Sequence, residues 1–254
     1  WMTTTPIQID GKNKLDLFGG SKEGGAKIGW FESPSNSRDI SAWKFHPFHN
    51  VGWVLQITPS DMDGDNDLDV IVTDRHAPSG ASGYWLENPG TGSPLQTSPW
   101  NKHDIGGSTQ LLYFSVNDFD LDGLMDIIAA QQQPNKILFF RRLTPNGLSW
   151  KTHEINWPSN VGTAKAVNIA DIDLDGKTDI TISGVDASGK ISVASLSYRN
   201  SVFDANWDMH EISTTGTKFD RIAVIDFDGD GKTDLITTEE TDNLGVLWWE
   251  NPLR

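Results

Sequence analysis

Short apolar runs recur along the chain, and none approaches the 18 residues of a membrane span. Ile222-Ala-Val-Ile leads into a cluster of aspartates and Leu235-Ile-Thr-Thr leads out of it. Leu111-Leu-Tyr-Phe-Ser-Val and Asp126-Ile-Ile-Ala-Ala flank another such cluster in the same way. Runs this short, rich in β-branched and aromatic residues, predict strands. A third, aromatic run follows each pair: Gly29-Trp-Phe-Glu, Tyr84-Trp-Leu-Glu, Ile137-Leu-Phe-Phe, Ile191-Ser-Val-Ala and Val246-Leu-Trp-Trp-Glu. A fourth carries Trp-x-x-His, at Trp43/His46, Trp100/His103, Trp150/His153 and Trp207/His210. The pattern stops after a third run at 246–254, so either the last unit closes with three strands or residues upstream or downstream of this sequence complete it. Each unit reads as four strands, and the chain as all-β.

The loop between the first two strands carries the chemistry. Asp226-Phe-Asp-Gly-Asp-Gly-Lys-Thr-Asp234 places carboxylates at positions 1, 3, 5 and 9, with Gly231 at position 6. Carboxylates two apart in a tight loop converge on one point, and the glycine permits the sharp turn. Unpaired they repel, so the spacing predicts a hard cation, and calcium tolerates many oxygen ligands best. Asp171, Asp173, Asp175 and Asp179 repeat the loop, as do Asp118, Asp120, Asp122 and Asp126. Asp61, Asp63, Asp65 and Asp69 repeat it with Asn66 in the glycine place, where Asn also accepts left-handed backbone. An eroded copy keeps Asp10 and Asp16 but has Gln8 and Lys12 for the other two acids. About four calcium ions are therefore expected, none at the eroded loop, where the Lys12 ammonium stands in. Loop starts at 8, 61, 118, 171 and 226 give a period above 50 residues, the mark of a repeat architecture.

These loops are not EF-hands, which need helices and a glutamate at position 12; that position holds Val72, Ala129, Ile182 and Thr237. Asp-x-Asp-x-Asp-Gly-x-x-Asp between two strands, once per repeat, resembles the FG-GAP or VCBS repeats of integrin-like β-propellers. The resemblance covers the whole chain. It implies one domain, 1–254, with five visible four-stranded antiparallel blades near 1–49, 50–106, 107–160, 161–213 and 214–254. It also implies calcium loops that brace turns and do no catalysis.

Net charge is −15, which argues against nucleic-acid partners and anionic membranes. Sixteen of the 35 acidic residues stand at the four repeated positions of the intact loops, so the acidity is mainly metal chemistry. The chain has no cysteine, hence no disulfide scaffold. Calcium loops of this kind fill where calcium is near millimolar, which points to a secreted, cell-surface or periplasmic protein.

A ligand is expected at the loops joining second to third strands, which in a propeller ring the end of a central channel. They differ from blade to blade and offer Lys22, Arg75, His76, Gln132, Glu239 and Glu240. Variation at one shared position is how a repeated scaffold makes a single site. Trp53 and Trp157 mark rival sites between blades, while the remaining tryptophans and the Trp-x-x-His pairs read as packing. The Glu-Asn-Pro triplets at 87–89 and 250–252 read as strand ends. The leading functional reading is a lectin-like module binding carbohydrate or another surface ligand. The alternatives are a sugar lyase or dehydratase using Arg75 and His76, and a structural spacer. No Ser-His-Asp order, P-loop or zinc-protease motif is present.

Overall fold

A computed structural model describes residues 1–78, 80–90, 99–107 and 110–253. They form two compact units, Trp1–Leu111 with Leu143–Trp150, and Leu112–Arg142 with Lys151–Arg254; residue 254 lies outside the described residues.

The first unit holds two antiparallel sheets. One has β1 (Thr3–Ile7), β2 (Asp16–Gly20), β3 (Lys27–Glu32) and β4 (Lys44–Asn50), in that order. The other has β5 (Val54–Ser60), β6 (Asp69–Asp74), β7 (Gly83–Glu87) and β8 (Asn101–Gly106). β5 packs on β1 and β2. Between the sheets lie Ile9, Phe18, Trp30, Val54, Ile57, Tyr84 and Trp100, all buried. Gly20 faces Val54 so closely that an added Cβ would lie 2.5 Å from its Cγ1, so glycine there sets the spacing of the two sheets.

The second unit holds three sheets. They are β9 (Leu111–Asn117), β10 (Asp126–Gln131), β11 (Lys136–Arg142) and β12 (Trp150–Asn156); then β13 (Thr163–Ala170), β14 (Asp179–Val185), β15 (Val193–Ser197) and β16 (Asp208–Ser213); then β17 (Phe219–Ile225), β18 (Asp234–Glu239) and β19 (Gly245–Trp249). The last sheet has three strands among the described residues. β13 packs on β10 and β17.

Each second strand is buried along its whole length in β6, β10 and β14, as their near-continuous apolar runs require. Third strands pair with second strands in one register throughout: Leu17 faces Phe31, Val70 faces Leu86, Ile127 faces Phe140, Ile180 faces Leu196 and Leu235 faces Trp249. Equivalent positions in the five sheets can therefore be compared residue by residue. Sheets of consecutive antiparallel strands repeated in this register are blades of the β-propeller type. No helix among the described residues is long and apolar enough to cross a membrane.

Candidate functional site

The aspartate loops are hairpin connections between first and second strands, and each acid has its own task. The position-9 aspartate opens the second strand and is buried in all five loops. Its two oxygens accept from amides on both sides. Asp16 accepts from Ile9 N at 3.0 Å and Ser33 N at 2.8 Å. Asp69 accepts from Met62 and Asn88, Asp126 from Phe119 and Arg142, and Asp234 from Phe227 and Asn251, all at 2.7–3.2 Å. The position-1 aspartate caps the turn. Asp226 accepts from Gly229 N at 2.8 Å and Gly231 N at 3.0 Å, and Asp171 from the amides of Asp175 and Gly176. In the eroded loop Gln8 takes over, accepting from Gly11 N at 3.0 Å. Position 6 is left-handed, at Asn66 (φ 73°) as at the glycines. Position 4 is left-handed too, and there Leu121 and Leu174 (both φ 62°) stand where other loops have glycine, a strained choice for leucine.

Carboxylate oxygens gather in four places among the described residues: Asp61/Asp63/Asp69, Asp118/Asp120/Asp122, Asp171/Asp173/Asp179 and Asp226/Asp228/Asp230. In each group they lie within 4.8 Å of one another, about twice a calcium–oxygen bond. Asp120 Oδ1 and Asp67 Oδ1 are buried without a hydrogen-bond partner. This all-oxygen, anionic donor set fits a hard divalent cation. Without one the carboxylates are uncomfortable. Burial pushes Asp69 up to about 7, against amide bonds from Asn88 and Met62 that pull it down. Burial also lifts Asp126 and Asp67 to about 6, and raises Asp63 and Asp179. Asp234 goes the other way: burial would raise it, but the Asn251 amide, the Trp248 indole and the Phe227 amide together hold it below the usual carboxylate value.

The loops differ in their built-in cations. Arg141 in β11 grips the 118–126 loop, pairing with Asp120 and, at 3.0 Å, with Asp122. Lys177 sits 2.7 Å from Asp175, and Lys232 pairs with Asp230. In the eroded loop Lys12 Nζ lies 3.0 Å from Asp10. The 61–69 loop adds a fifth carboxylate, Asp67, and has no side-chain cation bound among the described residues.

The Trp-x-x-His histidines do more than pack. His46 stacks on Trp30 (centroids 4.7 Å apart) and meets Glu32 at 3.1 Å; His103 stacks on Trp85 (4.3 Å) and meets Glu87 at 2.6 Å. His46 and His103 thus each meet a third-strand glutamate in addition to packing. In β11 the glutamate place holds Arg141, and the corresponding His153 packs on Phe139 with its Nε2 unpartnered. Burial, then Lys151 and Arg141, lower its pKa.

Of the expected ligand residues, three converge in the first unit. Trp53 precedes β5, with Lys22 Nζ 4.7 Å and the Arg75 guanidinium carbon 5.1 Å from its ring centroid, and the His76 ring edge-on at 5.6 Å. Asp74 holds this corner, accepting from the amides of Gly52, Trp53 and His76. Asp74 also lines an adjoining cavity of about 360 Å³ with His49, Asn50, Pro78, Tyr84 and Lys102. Lys102 Nζ lies 4.2 Å over the Tyr84 ring. Gln132, Glu239 and Glu240 belong to the second unit. Glu239 is 4% exposed, not an open rim group. It accepts from the amides of Lys218, Thr241, Asp242 and Leu244, which outweigh the upward push of burial and lower its pKa. Glu239 faces Phe219 as Asp74 faces Val54, so both acids brace the same corner of their sheets. Glu240 is exposed and pairs with Lys218; Gln132 lies half-buried in the β10–β11 turn.

A family model for the FG-GAP-like repeat matches residues 61–129 and 118–182. No curated protein gives a significant match. Among solved structures the chain is similar to a lectin of Agrocybe aegerita, described as recognising non-reducing terminal N-acetylglucosamine. The two are 18% identical with a TM-score of 0.50, over 98% of this chain and 66% of the lectin chain. The chain thus spans just under two thirds of the lectin's length, and the likeness is one of fold. With the family matches running through three of the four intact aspartate loops, residues 61–182 carry FG-GAP-like repeats, and the sheets they belong to are blades of the β-propeller type.

Proposed function

We propose that the protein is a calcium-braced carbohydrate-binding module working outside the cell or in the periplasm. The observation that carries this reading is the corner at Trp53. An indole flanked by Lys22, Arg75 and His76 adjoins a cavity whose lining mixes ring surface with amide, imidazole and ammonium groups. Apolar faces with a few placed polar groups suit a sugar, which has both C–H faces and hydroxyls. The fold likeness to a lectin supports the same class of ligand. The 61–69, 118–126, 171–179 and 226–234 loops would hold calcium, which would supply counter-charge to their clustered carboxylates. Millimolar extracellular calcium suits such loops.

The lyase or dehydratase reading has less support. A general acid–base pair needs two groups within hydrogen-bond reach, and the carboxylate of Glu239 is already committed to four amides. The test is a glycan array in calcium, repeated with Trp53→Ala, Arg75→Ala and His76→Ala. Specific glycan binding lost in Trp53→Ala, with melting unchanged to within a few degrees, is the expected result. No glycan bound by the parent protein would leave the spacer reading in its place.

A further inference from the structure

In the second unit the first strands β9, β13 and β17 belong to three different sheets, yet their side chains meet. Ser115 Oγ donates to Asn168 Oδ1 at 3.0 Å, and Asn168 Nδ2 donates to the Ile222 carbonyl at 3.2 Å. Lys165 Nζ lies 2.7 Å from Asp220 Oδ1 and so joins β13 to β17. The charged residues stand where strand pairing slips. β13 skips Lys165, between Ala164 and Ala166, in its register with β14. β17 skips Asp220 and Arg221, between Phe219 and Ile222, in its register with β18. Bulges of this kind re-aim side chains and are over-represented beside active sites. The same slip in β5 falls at Leu55, which is buried, so a bulge at this point does not by itself call for charge.

Tyr113 of β9 is the ring these charges share. The Arg221 guanidinium carbon lies 5.0 Å from its centroid and Lys165 Nζ 5.8 Å. Lys165 and Asp220 have side chains only 12% and 23% exposed, and their pairing accounts for one cation as a tie between sheets. Arg221 is left over. It is exposed, and among the described residues it makes no ion pair. The Tyr113 hydroxyl likewise has no hydrogen-bond partner among the described residues. Burial and then Asp220 raise the pKa of this phenol against the pull of Arg221, so at neutral pH it keeps its proton and can donate.

Two cations and one carboxylate leave this spot with a single positive excess, in a chain whose net charge is −15. A planar guanidinium matches the two oxygens of a carboxylate and binds it more tightly than a neutral acceptor. A doubly charged phosphate or sulfate would face Asp220 with only one positive excess to balance it. We propose that the first strands of the second unit bind a small organic acid through its carboxylate. Arg221 is the fork, the Tyr113 hydroxyl a further donor, and Lys165 the neighbouring cation. The Trp53 corner lies in the first unit, and the inference stands whether or not that corner binds sugar.

The test titrates the whole chain with sodium acetate and sodium glucuronate at constant ionic strength, followed by ligand-observed NMR, with glucose and sulfate as controls. Saturable binding of an acid is expected, and of neither control. Tighter binding of glucuronate would mark a sugar acid as the carrier of the carboxylate; equal binding of acetate would mark the carboxylate alone. Arg221→Gln should weaken binding at least about tenfold, the loss of one charged hydrogen-bonding partner. Tyr113→Phe, which keeps the ring, should weaken it less, and Trp53→Ala should leave it unchanged. The proposal is overturned if neither acid binds better than glucose, or if sulfate displaces the acids as well as they displace one another. It is also overturned if Arg221→Gln, with its melting unchanged, binds as the parent does, and loss of acid binding in Trp53→Ala alone would move the site to the first unit.

Discussion

Arg141 changes the meaning of its loop. At its position two other sheets place a glutamate that turns away to a histidine, whereas Arg141 turns inward to Asp120 and Asp122. A planar guanidinium donating to two carboxylates competes with a divalent ion for the same oxygens. The 61–69 loop is the opposite case, with five carboxylates and no side-chain cation among the described residues. Calcium affinity should therefore be highest at 61–69 and lowest at 118–126. Arg141→Gln should raise affinity at 118–126 by roughly tenfold or more, as one unit charge within about 4 Å is worth 1–4 kcal/mol. Terbium luminescence or calorimetry on the variant reads this directly, and an unchanged isotherm would dismiss the competition. Protons compete too. Asp69 and Asp126 have folded pKa values of about 7 and about 6, above their unfolded value. Between about pH 4 and 7 the ion-free folded state then holds protons the unfolded chain has released, so these groups favour folding as pH falls. Ion-stripped protein should melt higher at pH 5.5 than at pH 7.5, and calcium should reverse the order. Scanning calorimetry showing melting that rises with pH in stripped protein would contradict this.

Within each hairpin the position-9 aspartate is a brace before it is a ligand, and the eroded loop separates the two roles. Asp16 ties Ile9 to Ser33 across three strands in a loop where Lys12 already sits on Asp10. A buried carboxylate accepting two amides is worth about 1.5–3 kcal/mol per bond. Asp16→Ala should thus cost about 3–6 kcal/mol in denaturant titrations, equally with and without calcium. Asp63→Asn should lower stability only when calcium is present. The sequence makes the hairpins, their register and the carboxylate clusters legible, because a nine-residue spacing repeated every 53–57 residues leaves little freedom. It hides what side chains do across strands. Glu32 and His46 are 14 residues apart and Arg141 and Asp122 are 19 apart, so only the pairing shows them meeting. Glu239 hides for another reason. An acid in a turn looks the same in sequence whether it faces water or folds back on amides. The convergence of Lys22, Arg75 and His76 was readable as a shared location, but not Trp53 as the ring at its centre.

Across the molecule, charge is the dominant liability. The chain carries −15, and four calcium ions would leave it near −7. Without such ions four clusters of carboxylates are left uncompensated, each close pair costing about 1–4 kcal/mol depending on the effective dielectric. Single domains are stable by only about 5–15 kcal/mol, so several such pairs matter. Chelation should lower the melting temperature sharply. Because the cost is Coulombic, salt should restore part of it: the screening length falls from about 10 Å at 0.1 M to about 3 Å at 1 M. The calcium-loaded protein should show little salt dependence. The two units should also respond differently. In the second, Arg141, Lys177 and Lys232 remain as internal counter-charges after chelation, while the 61–69 loop of the first unit has none among the described residues. Hydrogen exchange in chelator should therefore show β5 and β6 losing protection before β13 and β14. Loss in the reverse order would mean that packing, not loop charge, sets which unit opens first, and an unchanged melting curve in excess chelator would remove calcium from the account of stability altogether.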